Sequence, residues 1–400
     1  MPTQPRDIIC FGTDWYSPSK VSIRHLVEVQ HERGSRVLWV NPVPIRFPAT
    51  RNRQFWTKVQ HKARTHARLL SRQGEGLWVY SPVYLPLYRG PGFALNRLAI
   101  SMQIILLRLV LGMRKPLVFG SMFTAWFALP AVRDCPLIFH FADKISAFRE
   151  VSGIPERRRV LEEMERSIIK AAVLATCSSR AIHEHVASVA GSGAEKVILL
   201  PHAVRAATFL DQPIDAQAIP PEMAALPHPI AGYFGSLTHT NDTETFLAAA
   251  QGLPDWSFVF IGRVTGDYTA LQALPNVHFL GPQPHERIPA YGAAFDLCFM
   301  GWRAHEWITN SFPLKTLEYL ALGKPVVCAG AIPEVQERFP GLVVTTKSPG
   351  DFQAALMREV HEDSAAKRKA RVDAVYQETW ERRVDVVLAE LRRRGVHDGI

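Results

Sequence analysis

Short apolar runs alternate with amphipathic stretches along most of this 400-residue chain. Ile8–Gly12 reads as a strand. Val21–Gly34 carries Ile23, Leu26, Val27 and Val29 on one side, a helical period that Gly34 stops. Arg36–Val40, Leu117–Gly120, Leu137–Phe141, Val173–Thr176 and Val197–Leu200 read as further strands, with helices at Arg157–Ala172 and Ser179–Val189. Such alternation predicts a parallel, doubly wound α/β sheet. The rhythm breaks between Phe209 and His228, where Asp211-Gln-Pro, Ile219-Pro-Pro and Leu226-Pro-His predict a linker. A second α/β unit follows, with strands at Ile230–Gly235, Ser257–Ile261, Val277–Leu280, Leu297–Met300, Pro325–Val327 and Leu342–Val344. Its helices are predicted at Thr243–Gly252, His285–Gly292 and Leu314–Leu322, and a last helix at Trp380–Arg394. The expected domains are 1–208 and 229–378, joined by 209–228, with 379–400 returning to the first.

Composition narrows the class. The five cysteines are isolated and form no CxxC pair, which argues for a reducing compartment without a disulfide frame or structural zinc. No leader is expected from the short polar stretch Met1–Asp7. Charge is uneven: residues 1–150 hold 21 Lys and Arg against eight Asp and Glu, net +13, and the rest of the chain is net −4. A one-sided basic half suits an anionic partner, such as a nucleic acid, a lipid headgroup or a pyrophosphate-linked lipid. Two stretches are membrane candidates. Arg51–Arg72 sets Phe55, Trp56, Val59, Leu69 and Leu70 among seven cations, which suits shallow insertion or a basic helix packed on the sheet. Phe93–Met113 is apolar but broken by Arg97 and Arg108, short of a spanning helix, and reads more readily as a buried helix of the first sheet than as a membrane element.

The richest segment is Ser311-Phe-Pro-Leu-Lys-Thr-Leu-Glu-Tyr-Leu-Ala-Leu-Gly-Lys-Pro-Val-Val327. Pro313 suits a helix start, Gly323 a helix end, and Lys315 and Glu318 share one face. A helix N-terminus with a lysine in its first turn suits phosphate, each charged hydrogen bond contributing about 1.5–3 kcal/mol. A carboxylate one turn later suits a vicinal diol. An ordinary surface ion pair has the same spacing.

This segment resembles the donor-binding helix of GT-B glycosyltransferases, particularly those of bacterial polysaccharide and teichuronic-acid-type biosynthesis. Phe234-Gly-Ser-Leu237, Ile261-Gly-Arg263 and Asn276-Val-His-Phe-Leu-Gly281 are similar to other family segments. The resemblance implies two Rossmann-like domains facing a cleft, a nucleotide-sugar donor, UDP-linked by preference, and no further cofactor. It implies that Glu318 binds the ribose and that Lys315 and Arg263 neutralise the diphosphate. Gly235, Ser236, Leu314 and Thr316 would line the donor, and the backbone at Pro282 and Gln283 would face the base. Retaining members carry a carboxylate where this chain has Asn310, a departure that leans toward inversion.

An inverting transfer needs a base. Asp143, just past a strand end, is the candidate, and its surroundings resemble the xanthan-type glucuronosyltransferase family; an N-cap is the structural alternative. His140 is a second candidate base and equally a core histidine. Asp14, Lys20, Arg24 and His25 lie in the first strand-to-helix connection and could meet the acceptor. No DxD ends a strand and no His/Asp cluster has ligand spacing, so leaving-group charge is expected to fall to cations rather than metal. The expected acceptor is a lipid-linked oligosaccharide or polysaccharide at the cytoplasmic face of an anionic membrane. The alternatives are a nucleotide-sugar epimerase of the same fold and a non-enzymatic basic protein binding nucleic acid or membrane. No nucleic-acid-binding signature is present, and no GxGxxG supports an oxidoreductase.

Overall fold

The computed structural model describes residues 6–17, 20–43, 69–85, 91–142, 155–211, 219–304, 308 and 312–396. It divides into two compact units: Met1–Leu200 with Val384–Ile400, and Pro201–Arg383.

The first unit is an eight-stranded sheet ordered β3-β4-β2-β1-β5-β6-β7-β8. Its strands are β1 (Ile8–Phe11), β2 (Val37–Val40), β3 (Leu70–Gly74), β4 (Leu77–Tyr80), β5 (Leu117–Gly120), β6 (Leu137–Phe141), β7 (Leu174–Cys177) and β8 (Val197–Leu199). All pairs are parallel except the β3–β4 hairpin. β1, β2, β5, β6 and β7 are buried at every position, as parallel strands covered on both faces must be. The helices include α1 (Ser22–Glu32), α2 (Pro91–Val110), α3 (Thr124–Ala128), α4 (Pro155–Ala171) and α5 (Arg180–Ala190). Ser179 caps α5 by accepting the Ile182 amide. The β3–β4 hairpin was not legible in the sequence. Its edge strand β3 is largely exposed and mostly polar, so it lacks the apolar run that marks a core strand. Residues 69–72 of the predicted membrane stretch enter this hairpin; residues 51–68 lie outside the described residues.

The second unit is a six-stranded, all-parallel sheet ordered β11-β10-β9-β12-β13-β14. Its strands are β9 (Ile230–Phe234), β10 (Ser257–Ile261), β11 (Val277–Gly281), β12 (Leu297–Gly301), β13 (Val326–Ala329) and β14 (Val343–Thr346). Short helices α6 (Ala206–Phe209) and α7 (Pro221–Ala224) precede β9. Phe209 and Met223 are buried in this unit's core, so the boundary falls near residue 200, earlier than the Pro-rich linker expected at 209–228. Proline interrupts regular elements without preventing apolar side chains between them from packing. The later helices are α8 (Thr243–Gly252), α9 (Thr269–Gln272), α10 (Ile288–Ala293), α11 (Lys315–Ala321), α12 (Pro333–Arg338), α13 (Pro349–His361) and α14 (Ala365–Val375); α15 (Trp380–Arg393) starts in this unit and from Val384 belongs to the first. Both sheet faces are covered. One core gathers Phe234, Met300, Leu317 and Tyr319; the other gathers Tyr233, Phe246, Phe260, Phe299 and Phe352.

Candidate functional site

In the second sheet β9 has β10 on one side and β12 on the other, so the connections leave in opposite directions there. Ligands of open α/β sheets bind beyond the strand ends at such a reversal. The segments that meet at this edge are the ones the sequence singled out.

β9 ends at Phe234, and Gly235 follows with φ +130°, a conformation disfavoured for residues with a side chain. A Cβ on Gly235 would stand 2.8 Å from the Lys315 ammonium. Gly262, after β10, has φ +152°, and a Cβ there would meet the Gly235 carbonyl at 1.9 Å. The two glycines let adjacent strand ends close on one another and on the lysine. The connections then run side by side: the Leu237 amide donates to the Arg263 carbonyl at 2.9 Å, and the Thr265 amide to Leu237 at 2.8 Å. This brings Gly235, Ser236 and Arg263 together, with the Arg263 side chain exposed.

Helix α11 carries the remaining groups. Leu317, Tyr319 and Leu320 are fully buried and seat the helix on the sheet. The Tyr319 hydroxyl accepts from the Phe234 amide at 3.1 Å, which registers the helix against the end of β9. Lys315 then reaches over that end. Its ammonium donates to the Tyr233 hydroxyl at 2.6 Å and stands 3.9 Å from the Tyr233 ring centre and 5.2 Å from that of Trp302. Burial pulls its pKa down to about 7, against a smaller upward pull from Glu318. Tyr233 is the hub of a buried network: its hydroxyl donates to the Ser236 carbonyl at 3.0 Å and accepts from Asn241 at 3.1 Å. Asn241 Oδ1 in turn accepts from the Thr238 amide and the Tyr268 hydroxyl. Burial pushes the Tyr233 phenol well up, so it stays protonated.

Glu318 is nearly buried, and its Oε1 lies 2.7 Å from His285 Nε2. His285 follows β11 and packs edge-on against Phe209, ring centres 5.4 Å apart. Gln283, from the same connection, donates to the Leu280 carbonyl at 3.1 Å, and Pro282 beside it is exposed. Two expectations change. Thr316 is fully buried with its hydroxyl on the Met300 sulfur, so it serves the core. The Thr316 and Leu317 amides bond back to the carbonyls of Pro313 and Leu314, so the first turn offers fewer donors to an anion than its sequence suggested. Asn310 lies outside the described residues. Tyr233, Asn241, Trp302 and His285 were missed, because only tertiary packing delivers them to Lys315 and Glu318.

In the first unit, Asp14 Oδ1 accepts the Tyr16 amide at 3.1 Å in a local turn. Arg24 donates to Glu28 at 3.0 Å and to the Trp15 carbonyl at 2.8 Å, and stacks 4.0 Å from the Trp15 ring centre. Lys20 also pairs with Glu28, at 3.4 Å. One carboxylate thus partly compensates both cations. His25 is 1 % exposed on the inner side of α1, which removes it from the surface where an acceptor would bind. His140 is equally buried within β6, its Nδ1 2.9 Å from the Thr176 hydroxyl, and burial lowers its pKa to about 4. It is a neutral core histidine. Asp143 lies outside the described residues. Among the described residues no group of three or more His, Cys, Asp or Glu side chains is gathered as a metal site.

Residues 228–362 match the family described as Glycosyl transferases group 1. Solved structures align with the whole chain. Sucrose-phosphate synthase from Thermosynechococcus elongatus has a TM-score of 0.67 at 16 % identity, covering 98 % of this chain and 99 % of its own. HepE of Anabaena, in complex with UDP and glucose, has a TM-score of 0.66 at 16 % identity, covering 98 % and 100 %. The fold is GT-B. The GT-B units are the two described above, and the matched family segment carries Gly235, Arg263, Lys315 and Glu318. A curated relative, TuaH of Bacillus subtilis strain 168, is named as a candidate teichuronic acid biosynthesis glycosyltransferase. It is 31 % identical over 208 residues, 50 % of this chain. The chain spans about half the length of that relative.

Proposed function

We propose that this protein is a glycosyltransferase that takes a sugar from a UDP-sugar and places it on a lipid-linked oligosaccharide or polysaccharide. The observation that carries the reading is the meeting of Lys315, Gly235 and the Tyr233 hydroxyl at the reversal point of the second sheet, one helical turn from Glu318. A diphosphate beside Gly235 meets backbone and an ammonium that lacks a carboxylate hydrogen-bond partner among its contacts described above. Arg263 adds a second cation as charge develops on the leaving diphosphate. Glu318, once it exchanges His285 for a ribose, accepts from the diol. The complexes of HepE with UDP and with UDP-glucose support a uridine donor.

In the transfer, an acceptor hydroxyl oxygen bonds to the anomeric carbon, the bond from that carbon to the diphosphate breaks, and UDP leaves. Asp143 takes the hydroxyl proton, and Asn310 in place of a carboxylate favours inversion. Cations in place of metal, the cytoplasmic face of a membrane as location, and an anionic lipid surface as partner of the basic half complete the reading. Calorimetry against UDP-glucose, UDP-N-acetylglucosamine, UDP-glucuronate and GDP-mannose tests it. One UDP-sugar binding at micromolar Kd, and losing that affinity in Lys315→Ala, supports it. Equal, weak binding of all four by both proteins refutes it.

A further inference from the structure

Contrary to the expectation that Arg97 and Arg108 leave this stretch short of a spanning helix, α2 (Pro91–Val110) is by length and composition the one helix among the described residues long and apolar enough to cross a membrane. Its two faces have different partners. Gly92, Asn96, Ile100, Ser101, Ile104 and Leu107 are buried against the first unit. Every exposed position on the other face is apolar, and the most open are Leu98 (59 %), Met102 (61 %), Leu106 (60 %), Leu109 (74 %) and Val110 (69 %). They recur at three- and four-residue steps, so they form one stripe along a helix of about 30 Å. Val83 and Leu85, also exposed, lie beside it, because the Gln103 and Asn96 side chains bond their backbones.

Asn96, Ser101, Arg97 and Arg108 hold the helix to the first unit. Asn96 makes two bonds to Leu85, and Ser101 donates to the Phe127 carbonyl at 3.0 Å. Arg97 stacks 4.7 Å from the Trp126 ring centre. Arg108 grips Asp134 with two nitrogens, at 2.9 and 2.8 Å. These contacts pin one side of α2 to the protein, so only the other side is left for an apolar partner.

We propose that this stripe docks in the headgroup boundary of an anionic bilayer, with α2 lying in the membrane plane. The occupant follows from charge. Arg114 and Lys115 are exposed directly after the helix, and Arg133 is exposed one residue from the Asp134 that Arg108 holds. All three belong to a half-chain of net +13. An apolar stripe with cations at its end and no exposed acid along it fits lipid tails below anionic headgroups. A second copy would set the same basic half against itself, and like charge opposes that pairing. The inference deepens the reading of an anionic surface as partner by naming the element that enters it.

The test uses the full chain and sonicated vesicles of phosphatidylcholine with and without phosphatidylglycerol. The variants are Leu106→Glu/Leu109→Glu and a probe variant, Leu106→Cys. All five native cysteines are buried, so a polarity-sensitive thiol dye is directed to position 106. The expected results are pelleting with phosphatidylglycerol vesicles, at least about tenfold weaker pelleting of the double variant, and a blue shift of the dye. UDP-sugar affinity should not change, which also shows that the variant is folded. Wild-type pelleting matched by the double variant, with no dye shift, overturns the role of α2 while leaving the surface reading intact. No wild-type pelleting overturns both, and UDP-sugar binding reports separately on the transferase. Dimeric wild type and monomeric double variant in sedimentation overturn the lipid assignment in favour of a second copy.

Discussion

On the proposed reading, Lys315 should make nucleotide-sugar affinity a function of pH. In the free protein burial lowers its pKa from 10.5 to about 7, so near neutrality about half the molecules hold the uncharged amine. A diphosphate beside Gly235 stabilises the ammonium and raises the pKa again, which couples binding to proton uptake. The protonated fraction of free protein is about 0.9 at pH 6 and about 0.1 at pH 8. Kd for UDP-glucose therefore rises about tenfold over that interval, about 1.4 kcal/mol. A nucleotide sugar is the right probe because both phosphates are esterified and keep their charge across the range. Calorimetry at pH 8 in two buffers of different ionisation enthalpy should show uptake of about 0.9 proton, and at pH 6 about 0.1. Lys315→Arg should flatten the profile, since guanidinium does not titrate here. Repeating the series in His285→Gln removes the titratable partner of Glu318. An unchanged Kd between pH 6 and 8, without proton uptake, refutes the reasoning. In the ligand-free protein the sign reverses: the unfolded lysine keeps its proton up to 10.5, so the unfolded state binds more protons above pH 7. This group's contribution to stability therefore rises with pH across that window.

Further outcomes follow from the same site. Glu318→Ala should weaken UDP-sugar binding by about 1.5–3 kcal/mol, the scale of hydrogen bonds to a charged group, read by calorimetry. His285→Ala should leave binding intact or tighten it, because the carboxylate no longer exchanges a partner; a loss as large as that of Glu318→Ala would assign the histidine to the ligand. Gly262→Ala should destabilise the protein by about 1–3 kcal/mol, measured by urea denaturation, since the new methyl meets the Gly235 carbonyl. Asp143→Asn should bind donor with wild-type Kd and fail to transfer; retained turnover would place the base elsewhere.

The sequence by itself determined the alternation of buried strands and helices. A parallel strand covered on both faces must be a short apolar run, and β5, β6 and β10 are found at the bounds their runs predicted. It also singled out the segments proposed for the donor site, because Gly235, Lys315 and Glu318 are tied to turns and helix faces by local spacing. Tertiary structure decided what those groups touch. Tyr233, 82 residues from Lys315, and His285, 33 from Glu318, reach them through sheet order, and local periodicity holds no information on sheet order. Tertiary structure likewise decided that His25 and His140 face inward. Helix α2 divides the two contributions most sharply. Both its faces are apolar, so its pattern suits a buried helix and a membrane helix alike. Only the packing of Ile100, Ile104 and Leu107 against the first unit's core chose the covered face and left the other open.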